Sequence, residues 1–361
     1  MKKSLIALAV LAASGAAMAQ SSVTLFGIID TNVGYVNNVA TAGGGDTNKY
    51  GLGTSGASTS RLGFRGVEDL GGGLKAGFWL EGEIFGDDGN ASGFNFKRRS
   101  TVQLAGSFGE VRLGRDQVPT YSKPSSYDLF NQAGIGQFMG WSAWGGSNQT
   151  AANGNNDANG IRSSNMVSYY TPNFSGFTAG LGYGFDEKSD AGNDKKGRYV
   201  GGFVAYDNGP LSVTLAYDEK SALTVNGLNG VDRNVLTLGA SYNLNVVKLV
   251  GIAQQTKDDR PGLSKGKNNA YMLGASAPVG AGEVKLQYAL YDQKVIDSKA
   301  HQISLGYIHN LSKRTSLYGT VAYIKNNDAS SLGLAVKGLG NTATATGENQ
   351  TGVQVGIRHA F

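Results

Sequence analysis

The last eleven residues of the chain, 351-TGVQVGIRHAF-361, alternate apolar and polar side chains and stop on an aromatic. Successive side chains of an extended strand point to opposite faces. Val353, Val355, Ile357 and Phe361 therefore share one face, with His359 just before the end, while Gln354, Gly356, Arg358 and Ala360 share the other. A soluble strand can carry this pattern. In a chain that opens with an export signal and repeats the alternation throughout, it reads as the closing strand of a transmembrane β-barrel, apolar toward lipid and polar toward the lumen.

The export signal stands at the other end. Lys2 and Lys3 precede the apolar run Leu5 to Ala13, and Ala17, Met18 and Ala19 supply a small-x-small cleavage site. Residues 1–19 read as a signal peptide, which leaves 20–361 as one barrel domain. The chain has no Cys, so disulfides, a lipid-modified cysteine, thiolate catalysis and zinc–cysteine sites are all excluded. After residue 19 no segment approaches the roughly 18 to 20 apolar residues of a spanning helix, so a membrane-embedded chain must satisfy its backbone in a closed sheet. Fifty-five Gly and seventeen Tyr against six Pro suit many strands, tight turns and interfacial aromatics. A mean hydropathy of −0.22 fits a wide barrel, where only every second strand residue meets lipid. The net charge of +5 is too mild to indicate nucleic acid.

Alternation recurs in sixteen segments, beginning near residues 22, 60, 74, 97, 109, 164, 177, 198, 211, 233, 246, 268, 282, 299, 315 and 351. In the first, Val23, Leu25, Gly27 and Ile29 interleave with Thr24, Phe26, Ile28 and Asp30; in the second, Leu62 and Phe64 face out and Arg61 and Arg65 face in. Short turns such as Gly71-Gly72-Gly73 alternate with long polar connections at 38–59, 186–197 and 326–350. Short turns on one rim and long loops on the other are the asymmetry of a 16-stranded antiparallel outer-membrane barrel.

The stretch from Asp116 to Ile161 is far longer than a connector needs to be. Its end, QTAANGNNDANG, is polar and Asn/Gly-rich. Its beginning, YSKPSSYDLFNQAGIGQFMGWSAW, is too aromatic to remain solvated, and the surface a barrel offers it is the lumen wall.

SSVTLFGIID, SRLGFRGVEDLGGGLKAGFWLE, FGEVRLGRD, NMVSYYTPNFSGF and GIRHAF resemble the general porins of Gram-negative bacteria, particularly the beta-proteobacterial type. The resemblance runs from the signal peptide to Phe361. It implies a homotrimer of 16-stranded barrels in the outer membrane, each with its third extracellular loop, here 116–161, folded inward to constrict a water-filled pore. It further implies contact with outer-membrane lipid and lipopolysaccharide, Sec-dependent export, and hand-over to the barrel-assembly machinery through Phe361. Small wall residues near the termini, Gly27, Gly34, Gly352 and Gly356, are expected to permit close subunit packing.

Passive permeation needs a hole, a width and a field rather than a catalytic group, cofactor or metal. The motifs SRLGF, KRRS and IRSSN carry over Arg61, Arg98 and Arg162 as basic constriction residues, with Arg65 and Arg99 as neighbours. Asp128 in SYDLF, and Asp116, are the acids expected opposite them. Strict alternation sets Arg98 on the face of Val102 and Leu104, so it needs a bulge, or a place above the membrane edge, to serve. Lys97-Arg98-Arg99 and Trp79 depart from the commonest family pattern.

The function so implied is general diffusion of small hydrophilic solutes with a weak preference for anions. The alternative is a substrate-selective porin for an anionic nutrient or oligosaccharide, for which Trp141 and Trp144 alone do not make an aromatic ladder. An outer-membrane hydrolase needs His near Ser or Asp at the extracellular rim. His301 is expected there alone, with His309 and His359 at the other rim. Gly51 to Gly56 matches G-x-G-x-x-G, but no helix follows. Asp87-Asp88-Gly89-Asn90 reads as a solvated turn before it reads as a calcium loop.

Overall fold

A computed structural model describes residues 22–89, 94–144, 160–186, 197–225, 228–340 and 342–361. The expected signal peptide, Asn90 and most of the Asn/Gly-rich end of the long loop lie outside the described residues. The strands are β1 (Ser22–Ala40), β2 (Asp46–Thr54), β3 (Arg61–Gly71), β4 (Leu74–Glu83), β5 (Arg99–Gly106), β6 (Gly109–Gln117), β7 (Arg162–Tyr170), β8 (Phe177–Gly184) and β9 (Tyr199–Asn208). They continue as β10 (Leu211–Val225), β11 (Leu228–Asn243), β12 (Lys248–Asp259), β13 (Gly266–Val279), β14 (Gly282–Gln293), β15 (Ser298–Asn310), β16 (Thr315–Asn326) and β17 (Gln350–Ala360). A short helix α1 (Pro119–Ser122) and a 3-10 turn (Pro124–Tyr127) begin the long loop.

Neighbouring strands pair antiparallel from β3 to β17, and β17 closes on β1 in a register that runs from Ile28 opposite Ala360 to Val36 opposite Gly352. Closure leaves no free edge, which is how a sheet satisfies its backbone in lipid. β2 and β3 both pair with the same side of β1, β2 with Thr31–Ala40 and β3 with Ser22–Ile28. They are one barrel strand interrupted by residues 55–60, so the barrel has sixteen strands.

Burial is inverted relative to a soluble fold. Leu273 is 70% exposed on the outside, whereas the inward-facing Gln302 and Gln354 are 2% and 0% exposed. Solvent here stands for lipid on the outer face. All sixteen expected segment starts fall close to observed strand starts, with one correction: the connection 38–59 contains β2. In β2 Tyr50 and Leu52 are the only apolar residues on the outward face, amid polar and glycine residues, so the period-2 signal is faint there.

Candidate pore constriction

Alternation directs a basic stripe onto the inner wall of β3–β7. Arg61 lies opposite Glu83, Arg65 opposite Trp79, and Glu81 opposite Arg99, so all face the lumen. Toward the extracellular rim, Glu83 takes Lys97 at 3.2 Å and also takes Lys337. Deeper in, Glu81 takes Arg98 at 2.7 Å and Arg61 at 3.9 Å. Arg162, at the start of β7, donates from Nε to the Arg98 carbonyl at 2.8 Å. Arg61, Arg98 and Arg162 are thus brought together. Arg98 departs from strict alternation because it precedes β5: its N–H bonds the Glu81 carbonyl and its guanidinium turns in onto the Glu81 carboxylate. Two cations share Glu83 and two share Glu81, which leaves positive charge in excess on this part of the wall.

Below this group, Asp116 accepts from Arg112 at 3.1 Å and lies 3.4 Å from Arg99, and Arg112 also bonds Glu110 at 2.7 Å. Arg65 and Arg99 lie against Trp79, with guanidinium carbons 5.2 and 4.6 Å from the ring centre. Trp79 is therefore a stacking support for the arginines of this wall.

The long loop runs along the other wall. The Tyr127 hydroxyl bonds Ser212 and Thr214 on β10, and Lys285 on β14 donates to the Leu129 carbonyl. Gln302 on β15 donates to the Ile135 carbonyl, Gln354 on β17 accepts from the Ile135 N–H, and Tyr291 on β14 accepts from the Met139 N–H. These partners are inward-facing, so residues 118–144 lie inside the barrel. Phe138, Trp141, Trp144 and Tyr291 belong to the packed core of the molecule between loop and wall. Trp141 and Trp144 are buried there, so they do not line a water path.

Both expected acids require correction. Asp116 sits on the same wall as the arginines and is 5% exposed. Asp128 is 2% exposed and turned into its own loop, where it accepts from the backbone N–H groups of Phe130, Gln132 and Phe138 and from the Gln132 amide. Burial pushes its carboxyl above the ordinary aspartate range, and the N–H donors offset part of that shift. The accessible edge of residues 118–144 carries Ser122, Lys123, Ser125, Ser126, Asn131, Gln132, Gln137, Ser142 and Ala143, and no acid. Asp128→Asn is accordingly expected to loosen the loop rather than shift selectivity by a charge. It should cost about 1–3 kcal/mol of local stability, because an amide NH₂ would face N–H donors. Single-channel records would register this as added current noise at nearly unchanged reversal potential.

Sequence reasoning missed a second inward segment. Residues 327–340 bring Leu334 and Val336 to complete burial against the core, and the Lys337 carbonyl accepts from the Thr54 N–H on β2. Lys337 itself binds Glu83 and lies 4.8 Å from the Phe85 ring centre. Burial lowers its ammonium pKa, and Glu83 opposes that shift. The detectable signal was the short apolar run SLGLAVKGLG inside an otherwise polar connection. It also explains Gly53, where a Cβ would press on the Lys337 carbonyl at 2.6 Å. The Gly51 to Gly56 run is strand and bulge, with no helix after it. His301, His309 and His359 lie on the outer face of the barrel, bonded to Tyr288, Tyr307 and Thr315 respectively.

A family model described as Gram-negative porin matches residues 5–329. The chain belongs to the Gram-negative porin family. This porin is 69% identical to outer membrane porin protein 32 of Delftia acidovorans and 35% identical to an outer membrane porin protein of Bordetella pertussis, in each case over all of both chains. Its fold superimposes on a solved structure titled anion-selective porin from Comamonas acidovorans with a TM-score of 0.88 and 66% identity, covering 95% of this chain and 100% of the other. It is an outer-membrane protein, and its exposed apolar belt is the lipid face.

The end of the porin strand is built into this belt. Gly27 and Phe361 exchange backbone hydrogen bonds at 3.1 Å, and a Cβ at Gly27 would collide with the Phe361 ring. Gly34, Gly352 and Gly356 do not open the outer wall for subunit packing as expected. They face inward and make room for Val336, for Leu334 with Ile135, and for Tyr318.

Proposed function

We propose that this porin is a general-diffusion channel for small hydrophilic solutes with a weak preference for anions, its narrowest passage lying between the basic stripe and the edge of the inward loop. The observation that carries the reading is the absence of an acid from the accessible edge of residues 118–144, opposite Arg61, Arg98 and Arg162. Between a cationic wall and an edge without an acid, the field favours anions over cations. Arg65 and Arg99 extend that field toward the periplasm. The likeness to a protein titled anion-selective porin supports the sign. Liposome swelling with neutral, anionic and cationic solutes of matched size tests it. Entry should be fastest for the anion and slowest for the cation, and faster cation entry would refute the preference.

The chain enters this role as an exported precursor, with 1–19 removed and 20–361 forming the barrel. Trimer formation rests on family membership, since the inward glycines lend it no support. The protein should migrate as a trimer in mild detergent and dissociate on heating. A fully active monomer would remove the trimer from the reading. Lipid and lipopolysaccharide are the partners of the outer belt. The barrel-assembly machinery is the partner of the last strand. Deleting Phe361 is expected to reduce outer-membrane yield strongly while the refolded barrel loses at most about 1.5–3 kcal/mol, the worth of fully burying one aromatic, since Phe361 stays partly exposed on the outer face. Normal yield of the truncated chain would contradict the assembly role.

A further inference from the structure

The interruption between β2 and β3 is unlike an ordinary bulge. Thr54 pairs with Thr31 and Arg61 with Ile28, so residues 55–60 stand opposite Ile29 and Asp30 alone. A common β-bulge adds one residue, not a six-residue pouch. The pouch is organised around one carboxylate. Asp30 accepts from the N–H groups of Gly56 at 3.1 Å, Ala57 at 2.9 Å and Ser58 at 2.8 Å, and from the Tyr318 hydroxyl at 2.5 Å. Its backbone is held as well: its N–H donates to Ser60 Oγ, and its carbonyl accepts from the Ser55 N–H and from the hydroxyls of Thr54 and Ser60. Asp30 is fully buried, and among the described residues no Lys or Arg lies within ion-pair distance of it. Its charge is met by three converging backbone dipoles and one hydroxyl.

The pouch in turn touches both sides of the proposed passage. It ends immediately before Arg61. Ser58 Oγ accepts from Arg358 Nε at 3.1 Å. The Ala57 carbonyl accepts from Asn131 Nδ2 at 3.4 Å, at the tip of the inward loop. Gly134, at φ +66°, lies so close to the Gly56 carbonyl that no side chain would fit.

We infer that Asp30 is the positioning residue of the constriction: by templating residues 55–60 it fixes where Arg61 and Arg358 stand on one side and where the loop tip stops on the other. The inference rests on the reading that these groups bound the passage. Nothing in it requires Asp30 to meet the solute.

Asp30→Asn keeps the shape but sets an amide NH₂ against backbone donors. In planar bilayers its single-channel conductance should rise and acquire sub-states, and its reversal potential in a KCl gradient should move toward zero, while the heat-resistant barrel band is retained. Tyr318→Phe, which removes one of the four donors, should give a smaller shift in the same direction, and it keeps the test open if Asp30→Asn does not assemble. A folded Asp30→Asn channel, or failing that a Tyr318→Phe channel, with wild-type conductance, noise and reversal potential would overturn the inference. Conductance and sub-states are compared with wild type whatever its ion preference, so a failure of the anion reading alone would leave this result distinct.

Discussion

Excision of residues 127–144 with a short polar linker is expected to raise single-channel conductance on the order of twofold or more, because sixteen strands by themselves leave an open aqueous lumen. The excised segment fills one side of that lumen with Phe138, Trp141 and Trp144. The wall it uncovers carries Gln287, Gln302 and Gln354, whose amides now serve Leu129, Gly136 and the two backbone groups of Ile135. Those amides can bond water instead, so the barrel should survive the loss of the loop while its passage widens. Larger solutes should enter in swelling assays. Conductance unchanged from wild type would put the loop outside the ion path.

Neutralising Arg61 and Arg162 together is expected to move selectivity from anionic toward neutral or cationic. Each removed charge acts on a passing ion with about 2 kcal/mol at roughly 8 Å in an effective dielectric near 20, before screening. Mobile ions shorten that reach to about 8–10 Å at physiological salt, so the shift should be largest at low ionic strength and fade toward molar salt. Glu81 would keep only Arg98, at 2.7 Å, of the two cations that flank it, so that group would fall from net positive to neutral. Reversal potentials of the double variant equal to wild type at low salt would show that these arginines do not act on the ion path.

The barrel was legible in the sequence because its strongest constraint is also its simplest pattern: Leu236, Leu238 and Ala240, or Leu286 and Tyr288, mark the lipid face directly. β2 was illegible because Gly51 and Gly53 carry no side-chain signal on the inner face. The parity of β17 already sets Gly352 and Gly356 with Gln354 on the inner face, so their use as packing sites was a misreading of a visible pattern. The basic residues of the wall were readable from motif and parity, Arg98 apart. Its inward turn depends on an irregularity just before β5 that no local propensity announces. Asp128 was visible as a carboxylate but not as a buried one, since its partners are N–H groups whose directions exist only once the loop has folded. In the sequence Asp30 stands only as one more residue interleaved with the apolar face of the first strand. Its role arises from residues distant in sequence, with Tyr318 and the pouch at 55–60 converging on it.

The central claim is that a cationic wall faces an acid-free loop edge across the passage. The most direct test is the reversal potential of the wild-type channel in a steep KCl gradient at low ionic strength. The sign should be that of chloride permeating faster than potassium, and the magnitude should fall as both solutions are brought toward molar salt. A reversal potential at zero, or of the sign set by potassium, would contradict the account.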